Sequence, residues 1–532
     1  MKRRIYIKDW LSLKPYQQQT ATDLYYLKIA NSIKDLLFSN KGFIFSFLID
    51  SEEDINKFSC FLASYFEDVI SATNIWGAFI AMHQKEYGRK LPFYKTDTYD
   101  EGEINHQDVS CLIWYFLNKV QSRKFASPYN DLIGNLATKV MELLEGEYEY
   151  APENEVLKKI YSLAPNESDY YTVRNLIDTL LFDTYLFYPD TATDLKVLEK
   201  EIFEKDNKEN LLALLQDSRD VFLHKTRTCM LGLAGKDWVA AILGEDHAQS
   251  NHIKALSPRI AGYFLYKGQD NQDVFLEHIA SGKSFKLTKK SFDYASELGE
   301  IDLILYMGMV RWKNEWWFSG VKFDTPYNEG LVLEERNSVQ SRRQVNFLDD
   351  QEKEKIEILN IQKEVFLSFN NDSPIAFLPV KDFRDFSNAF IDRYNKYLKD
   401  KSKQTDASEQ REGEEFSKQE EKIDDNFDNV DEPGLVFFNP KGGLEMAWGV
   451  TSAFPLPHNP YYDQKESDEN TLYLLVSRDI STELAMYCIE QCGSKLTFFT
   501  EKPGKDYLED IDFLLRFWKK EEYYTQAAVT LV

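Results

Sequence analysis

The sequence predicts an α+β protein with a large helical N-terminal region, a small antiparallel β-barrel (OB-like or SH3-like) in the middle and a mixed α/β C-terminal module. Apolar residues recur at helical spacing from about residue 16 to 245. Between residues 262 and 323 follow short runs rich in β-branched and aromatic residues, separated by Gly, Asn, Asp and Ser. After residue 433, runs typical of strands and of helices are mixed.

A chain of 532 residues is expected to build several hydrophobic cores, because a single core stops growing at about 250–300 residues. We divide it into a mainly helical domain (1–255), a small β-barrel module (256–335), a helical segment (336–398), a disordered acidic linker (399–432) and a mixed α/β module (433–532). The linker has almost no large apolar residues and an excess of Asp and Glu over Lys and Arg. Such a segment cannot offset a backbone ordering entropy of about 1–2 kcal/mol per residue.

Two helices of the first domain have a clear apolar face. Tyr26, Ile29, Ala30, Ile33 and Leu37 align in a helix that begins near Thr22. The same spacing recurs over Val173, Leu176, Ile177, Leu180 and Leu181. Asn105, with Asp108 three residues later, predicts the start of another helix, since the carboxylate meets the positive end of the helix dipole.

The predicted barrel has five strands. They are Gly262–Gly268, Asp273–Ala280, Lys283–Thr288, Ile301–Val310 and Trp316–Phe323. Ser281-Gly282 and Lys313-Asn314 are the predicted hairpin turns. Closure into a barrel would remove the exposed strand edges. Phe275, Leu287, Leu303 and Phe318 are the expected interior residues.

Beyond the barrel, the pattern predicts strands at Ile375–Leu378, Gly434–Phe438, Leu472–Val476 and Lys495–Phe499. Helices are expected over Ser481–Ile489, with Ser481 as the cap, and over Tyr507–Lys519.

Charge and cysteine usage limit the classes of function. A net charge of -25 repels nucleic acid at long range, so binding to it would need a locally basic face. The cysteines are few, odd in number and mostly inside apolar runs, as in reduced cytoplasmic proteins. No run approaches about 18 apolar residues, and Lys8 and Asp9 interrupt any signal-peptide core, so we expect a cytoplasmic protein without a membrane partner.

No motif in the chain specifies a catalytic chemistry. Gly232–Asp237 resembles a phosphate loop, but a Walker loop needs four residues between its glycines and a Ser or Thr after the lysine. The acidic loop Asp97–Asp108 lacks the EF-hand spacing and is interpreted as a solvated loop. We therefore assign no catalytic residue, no metal ligand and no cofactor, although a site assembled from distant segments stays open.

The basic residues of the barrel are the candidate binding residues. Lys286, Lys289 and Arg311 occur near Trp312 and Trp316, and alternating aromatic and cationic side chains are typical of single-strand nucleic-acid sites. The plainer interpretation is a barrel whose aromatic residues form its core and whose lysines keep it soluble. We favour that interpretation.

Three segments resemble an uncharacterised bacterial protein family of unknown function. They are Glu103–Asn105, Leu256–Gly268 and Asp512–Trp518. The resemblance spans most of the chain, supports a bacterial cytoplasmic origin and implies no activity. We expect a non-catalytic interaction or regulatory protein whose partner is another protein. The alternatives are a nucleic-acid or ribonucleoprotein binder acting through the barrel, and a hydrolase or metalloenzyme with a site drawn from distant segments.

Overall fold

The computed structural model describes residues 4–39, 51–120, 125–205, 210–338, 341–342, 345, 352–402, 431–523 and 527. The chain divides into two compact units, Met1–Asn346 and Phe347–Val532. Unit 1 contains the helical region and the barrel together, whereas the sequence analysis divided the chain more finely.

The helices of unit 1 come first along the chain. Their bounds are α1 Ile7–Leu11, α2 Asp23–Ser39, α3 Glu52–Ser71, α4 Ile75–Tyr87, α5 His106–Val120, α6 Asp131–Glu147, α7 Glu155–Ile160, α8 Tyr170–Asp183, α9 Thr193–Lys205, α10 Leu211–Lys225, α11 Gly235–Leu243 and α12 Ser250–Lys254. Polar caps fix several starts: the Ser51 hydroxyl accepts the Asp54 N–H (3.0 Å), and the Asn154 amide oxygen accepts the Val156 N–H (3.1 Å). The two predicted apolar faces, on α2 and α8, are buried.

Helix α5 begins at the predicted place, with Asp108 in its first turn. The Asn105 side chain acts differently from the expected cap, because its oxygen accepts the backbone N–H of Asp100 (2.9 Å). Its amide nitrogen lies 3.4 Å from Asp108 Oδ2. Asn105 therefore holds the preceding acidic loop in place.

The predicted barrel is confirmed. Its strands are β1 Ile260–Gln269, β2 Asp273–His278, β3 Ser284–Thr288, β4 Ile304–Trp312 and β5 Glu315–Thr325. They close in the order β1-β2-β3-β5-β4, with all pairs antiparallel except β3 and β5. This arrangement is OB-like. Lys313 and Asn314 both have positive φ (47° and 68°), as a two-residue hairpin turn requires, and helix α13 (Glu329–Asn337) follows the barrel.

The predicted interior of the barrel is correct for two residues and wrong for two. Leu287 and Phe318 are buried, whereas Phe275 and Leu303 are only half-buried. Val274 and Leu276 take the inward positions of β2, so strand alternation turns Phe275 outward beside Lys286. The run Val274-Phe275-Leu276 is apolar throughout, and its pattern therefore could not show which residues point inward.

We expect Leu287→Ala to lower the free energy of unfolding by about 2–5 kcal/mol, because it removes packed atoms from the closed interior. Phe275→Ala is the matched control on the neighbouring strand and is expected to cost much less, since Phe275 is only partly buried. Urea denaturation of the full chain measures both. Equal losses would contradict the inward placement of Leu287.

Unit 2 is a three-stranded antiparallel sheet with helices on both faces. Its elements are α14 Glu352–Phe369, β6 Ile375–Pro379, α15 Phe383–Ser402, β7 Pro433–Asn439, β8 Gly443–Trp448, α16 Ser467–Val476, α17 Thr482–Cys492, α18 Thr497–Thr500 and α19 Ile511–Trp518, with strand order β6-β7-β8. Leu435 and Phe437 of β7 enter one core, and Val436 and Phe438 enter the other. The mixed α/β fold predicted for the C-terminal module is confirmed.

Two strands predicted in unit 2 are wrong. Leu472–Val476 is the end of helix α16, in which Leu474 and Leu475 are buried while Leu472, Tyr473 and Val476 are exposed. Lys495–Phe499 is also helical, as a 3-10 turn followed by α18. A short apolar run fits both periodicities, and here tertiary packing selects the helix. The predicted cap of α17 is confirmed: Ser481 Oγ accepts the Leu484 N–H at 3.1 Å.

Most of the predicted linker, residues 403–430, lies outside the described residues. Residues 399–402 form the end of helix α15. The disorder of this segment stays a prediction. Within the described part of the chain, no helix combines the length and apolar character that a membrane crossing requires.

Candidate binding site at the helix–barrel junction

A network of ion pairs joins helices α8 and α10 to the barrel, and we call this place the junction. Arg259, just before β1, is buried, with 4% of its side chain exposed. Its guanidinium contacts Asp217, lies 3.4 Å from Asp220 Oδ2 and donates to the Ser319 hydroxyl (3.2 Å). Arg259 therefore connects helix α10 with strand β5.

Two glycines make room for the Arg259 side chain. A Cβ atom at Gly308 or at Gly320 would overlap the guanidinium group. Gly320 also has a φ of 87°, which L side chains rarely adopt. The barrel backbone thus approaches the arginine closely at two adjacent strands, a role that glycine in a strand often has.

Two more arginines complete the network. Arg174 donates to Asp220 Oδ1 (3.0 Å) and lies 3.1 Å from Asp178. Arg219 binds Asp178 through two nitrogens, at 2.6 and 2.9 Å. The three positive charges of Arg174, Arg219 and Arg259 therefore face the three carboxylates of Asp178, Asp217 and Asp220.

The environment tunes the protonation of Asp220 and His224. Burial favours the neutral acid of Asp220, but protonated His224, the Ser319 hydroxyl and the Arg174 guanidinium outweigh it and hold the pKa of the carboxyl below its ordinary value. Burial lowers the pKa of His224 to about 4. Near neutral pH, Asp220 is thus charged and His224 is neutral.

These residues include the types used in hydrolysis, yet their contacts differ from those of a catalytic triad. The Ser319 hydroxyl donates directly to Asp220, and His224 Nε2 lies 2.8 Å from the Tyr170 hydroxyl. Ser319 is buried, and the lowered pKa makes Asp220 a weak base. The arrangement supports a structural role for the network.

A cleft of about 710 Å³ lies over the network. Its lining includes Tyr171, Asn175, Gln216, Lys290, Asp293 and Tyr294. The Tyr171 hydroxyl is fixed 3.1 Å from the carbonyl oxygens of both Ser291 and Phe318. Asn175, Gln216 and Tyr294 are exposed. The volume is in the range of sites that bind small molecules or short segments.

Comparison with known proteins identifies a family. Residues 4–270 match the family described as Protein of unknown function (DUF3843), which is half of the chain. The chain belongs to the DUF3843 family. Neither a curated protein nor a solved structure matches it. The matched region of this DUF3843 protein includes the aspartates and arginines of the junction, whereas Gly308, Ser319 and Gly320 lie beyond it.

The binding residues predicted from the sequence lie at separate places on the barrel of this DUF3843 protein. Lys286 is exposed on the outer side of β3. Lys289 donates to the Asp270 carbonyl, and Trp312 is 1% exposed, with its indole nitrogen 3.0 Å from the Ser168 carbonyl.

Arg311 and Trp316 are neighbours, with the guanidinium 5.9 Å from the ring centroid. Trp316 pairs with Leu287 and also contacts the buried Phe285 ring. Because successive strand residues point to opposite faces, Trp316 and Lys286 point to opposite sides of the barrel wall. Of the binding residues predicted from the sequence, the structure therefore brings only Arg311 and Trp316 together.

The sequence analysis missed the junction network. Its acidic and basic members belong to α8, to α10 and to the residue just before β1, so no local spacing connects them. Gly308 and Gly320, inside strands, were the signal that could have indicated a close approach. Among the residues that the structure describes, no group of three or more His, Cys, Asp or Glu side chains is arranged to hold a metal ion.

Proposed function

We propose that this protein is a non-catalytic interaction protein that binds a segment of another protein in the junction cleft. One observation carries the proposal. The ionised groups under the cleft pair with one another, while the rim offers exposed aromatic and amide side chains. A fixed floor whose ion pairs neutralise one another can support recognition, and the Ser319 hydroxyl in it is already hydrogen-bonded to Asp220.

The chemistry of the rim suits a polypeptide. Tyr294 offers an amphipathic ring at low cost in side-chain entropy, and the amides of Asn175 and Gln216 can each donate and accept hydrogen bonds. Lys290 is already paired with Glu315 (2.6 Å), which lowers the net charge that a partner would meet. Aromatic enrichment with few unpaired charges is the composition of protein–protein interface centres.

A second candidate function is single-strand nucleic-acid binding on the barrel. Lys286 is exposed and lies across from the half-buried Phe275 ring on β2, and OB folds bind oligonucleotides on strands 2 and 3. Two features oppose nucleic-acid binding: the carboxylate of Glu277, which lies on β2 like Phe275, and the net charge of -25. We rank it second.

We also propose a cytoplasmic location. The cysteines are free thiols and all are buried, which fits a reducing compartment.

The experiment compares capture by the full-length wild type with capture by two matched variants. Asn175→Arg/Gln216→Arg fills the cleft from two exposed positions, and Lys286→Glu/Arg311→Glu replaces two cations of the barrel with carboxylates. We expect a defined partner that the cleft variant loses at least tenfold, that the barrel variant retains and that nuclease leaves bound. Nuclease-sensitive capture that only the barrel variant loses would contradict the proposal and support the second candidate.

A further inference from the structure

The N-terminal helices of unit 1 form a second pocket, of about 530 Å³, that is rich in cations. Arg4, Lys8, Lys57 and Lys196 line it with Tyr188, beside the three carboxylates of Asp9, Glu52 and Glu53. We call it the cation pocket. The lining thus has one more positive than negative group, in a chain of net charge -25.

Several of these cations are not neutralised by the protein. Lys57 is paired with Glu53 (2.6 Å), and Glu52, which also lines the pocket, is paired with Lys34 (2.9 Å). Among the described residues, no carboxylate lies within 4.0 Å of Arg4, Lys8 or Lys196. Three of the four cations that line the pocket therefore have no ion-pair partner in the described part of the chain.

The base of the pocket is a fixed aromatic ring. The Lys57 and Lys196 ammonium groups lie 5.6 and 4.8 Å from the centroid of the buried Tyr188 ring. Tyr188 begins a short kinked turn whose Asp190 forms a buried ion pair with Lys119 (2.9 Å) and accepts the Cys229 N–H (2.7 Å). Because Asp190 anchors this turn, the two lysines converge on a rigid surface.

An unused polar group adds to the pocket. Asn56 Oδ1 is buried there without a hydrogen-bond partner. A bound anion cannot donate to this oxygen, but rotation of the amide would turn its Nδ2 donor toward the anion.

The geometry points to a binding site for a small anion that carries several phosphate charges. Burial and the nearby Lys57 ammonium lower the pKa of Lys196. A polyphosphate placed between the two ammonium groups would offset their repulsion and accept hydrogen bonds from both. This inference is independent of the junction cleft.

Calorimetric titration of the full-length chain with inorganic tripolyphosphate at low ionic strength tests the inference. We expect one site per chain, with affinity that falls as salt rises. Lys57→Gln/Lys196→Gln should weaken binding by about a hundredfold, or about tenfold for each lost charge-assisted hydrogen bond. Lys200→Gln is the matched control, because Lys200 lies on the same helix and faces Glu204 (3.8 Å).

Two further titrations identify the source of the phosphates. Tighter binding of ATP than of tripolyphosphate would indicate a nucleotide, and equal binding would indicate recognition of phosphate alone; both support the inference. No binding of tripolyphosphate, unchanged binding in the double variant, or an equal loss in Lys200→Gln would overturn it. Binding restricted to anionic phosphatidylglycerol vesicles would also overturn it, in favour of a membrane surface.

Discussion

Arg259→Leu is expected to lower the free energy of unfolding of unit 1 by about 3–5 kcal/mol, because it removes one of the two arginines at the buried Asp220 and the arginine that pairs with the partly buried Asp217. Asp220 keeps Arg174, but Asp217 loses its arginine, and Ser319 loses a donor. The space above Gly308 and Gly320 is emptied as well. Urea denaturation followed by tryptophan fluorescence measures the loss.

Arg219→Leu is the control for this prediction. Its side chain is more exposed, and its partner Asp178 keeps the contact with Arg174. We expect a loss of about 1 kcal/mol, in the range of exposed ion pairs. A loss from Arg259→Leu that does not exceed the loss from Arg219→Leu would contradict the central position of Arg259 in the junction.

Lys14→Met is the second substitution with a large expected effect. The Lys14 and Glu67 side chains form an ion pair with 3% and 0% of their surfaces exposed, and Lys14 also donates to Ser64 (2.9 Å). Removing the ammonium leaves the Glu67 charge in the interior, with Asn154 as its remaining hydrogen-bond donor (2.8 Å). We expect a loss of about 3–5 kcal/mol in urea denaturation.

Two variants separate the charge effect from lost packing. Lys14→Met/Glu67→Gln removes both charges and keeps an acceptor for Asn154, so it should recover most of the stability. Lys34→Met removes an equally buried ammonium, but its partner Glu52 has 45% of its side chain exposed and can be hydrated by water. A Lys34→Met loss as large as that of Lys14→Met would show that packing, and not the buried charge, decides the result.

Features encoded locally could be predicted from the sequence. The barrel strands were found because β-branched and aromatic runs alternate with turn residues, and the hairpin at Lys313-Asn314 has the expected backbone. The helix cap at Ser481 and the apolar face of α2 are also specified by neighbouring residues. Each of these signals lies within a few residues of the structure that it specifies.

Features that depend on distant packing could not be predicted. The run Leu472–Val476 became a helix because other parts of unit 2 bury Leu474 and Leu475. Arg259 and Asp217 are separated by the whole of α11 and α12, so their ion pair leaves no pattern in composition or periodicity. The cation pocket likewise combines the first residues of the chain with Lys196.

Site-specific photo-crosslinking tests the binding function of the junction cleft most directly. A photoreactive amino acid replaces Gln216, which is exposed and lines the cleft, in the full-length protein in its native cells. The same amino acid at Glu142, exposed on helix α6, is the control. We predict a defined protein adduct at position 216 that is absent at position 142 and is lost when Asn175→Arg is added. Equal labelling at both positions, or no adduct at position 216, would contradict a binding function for the cleft.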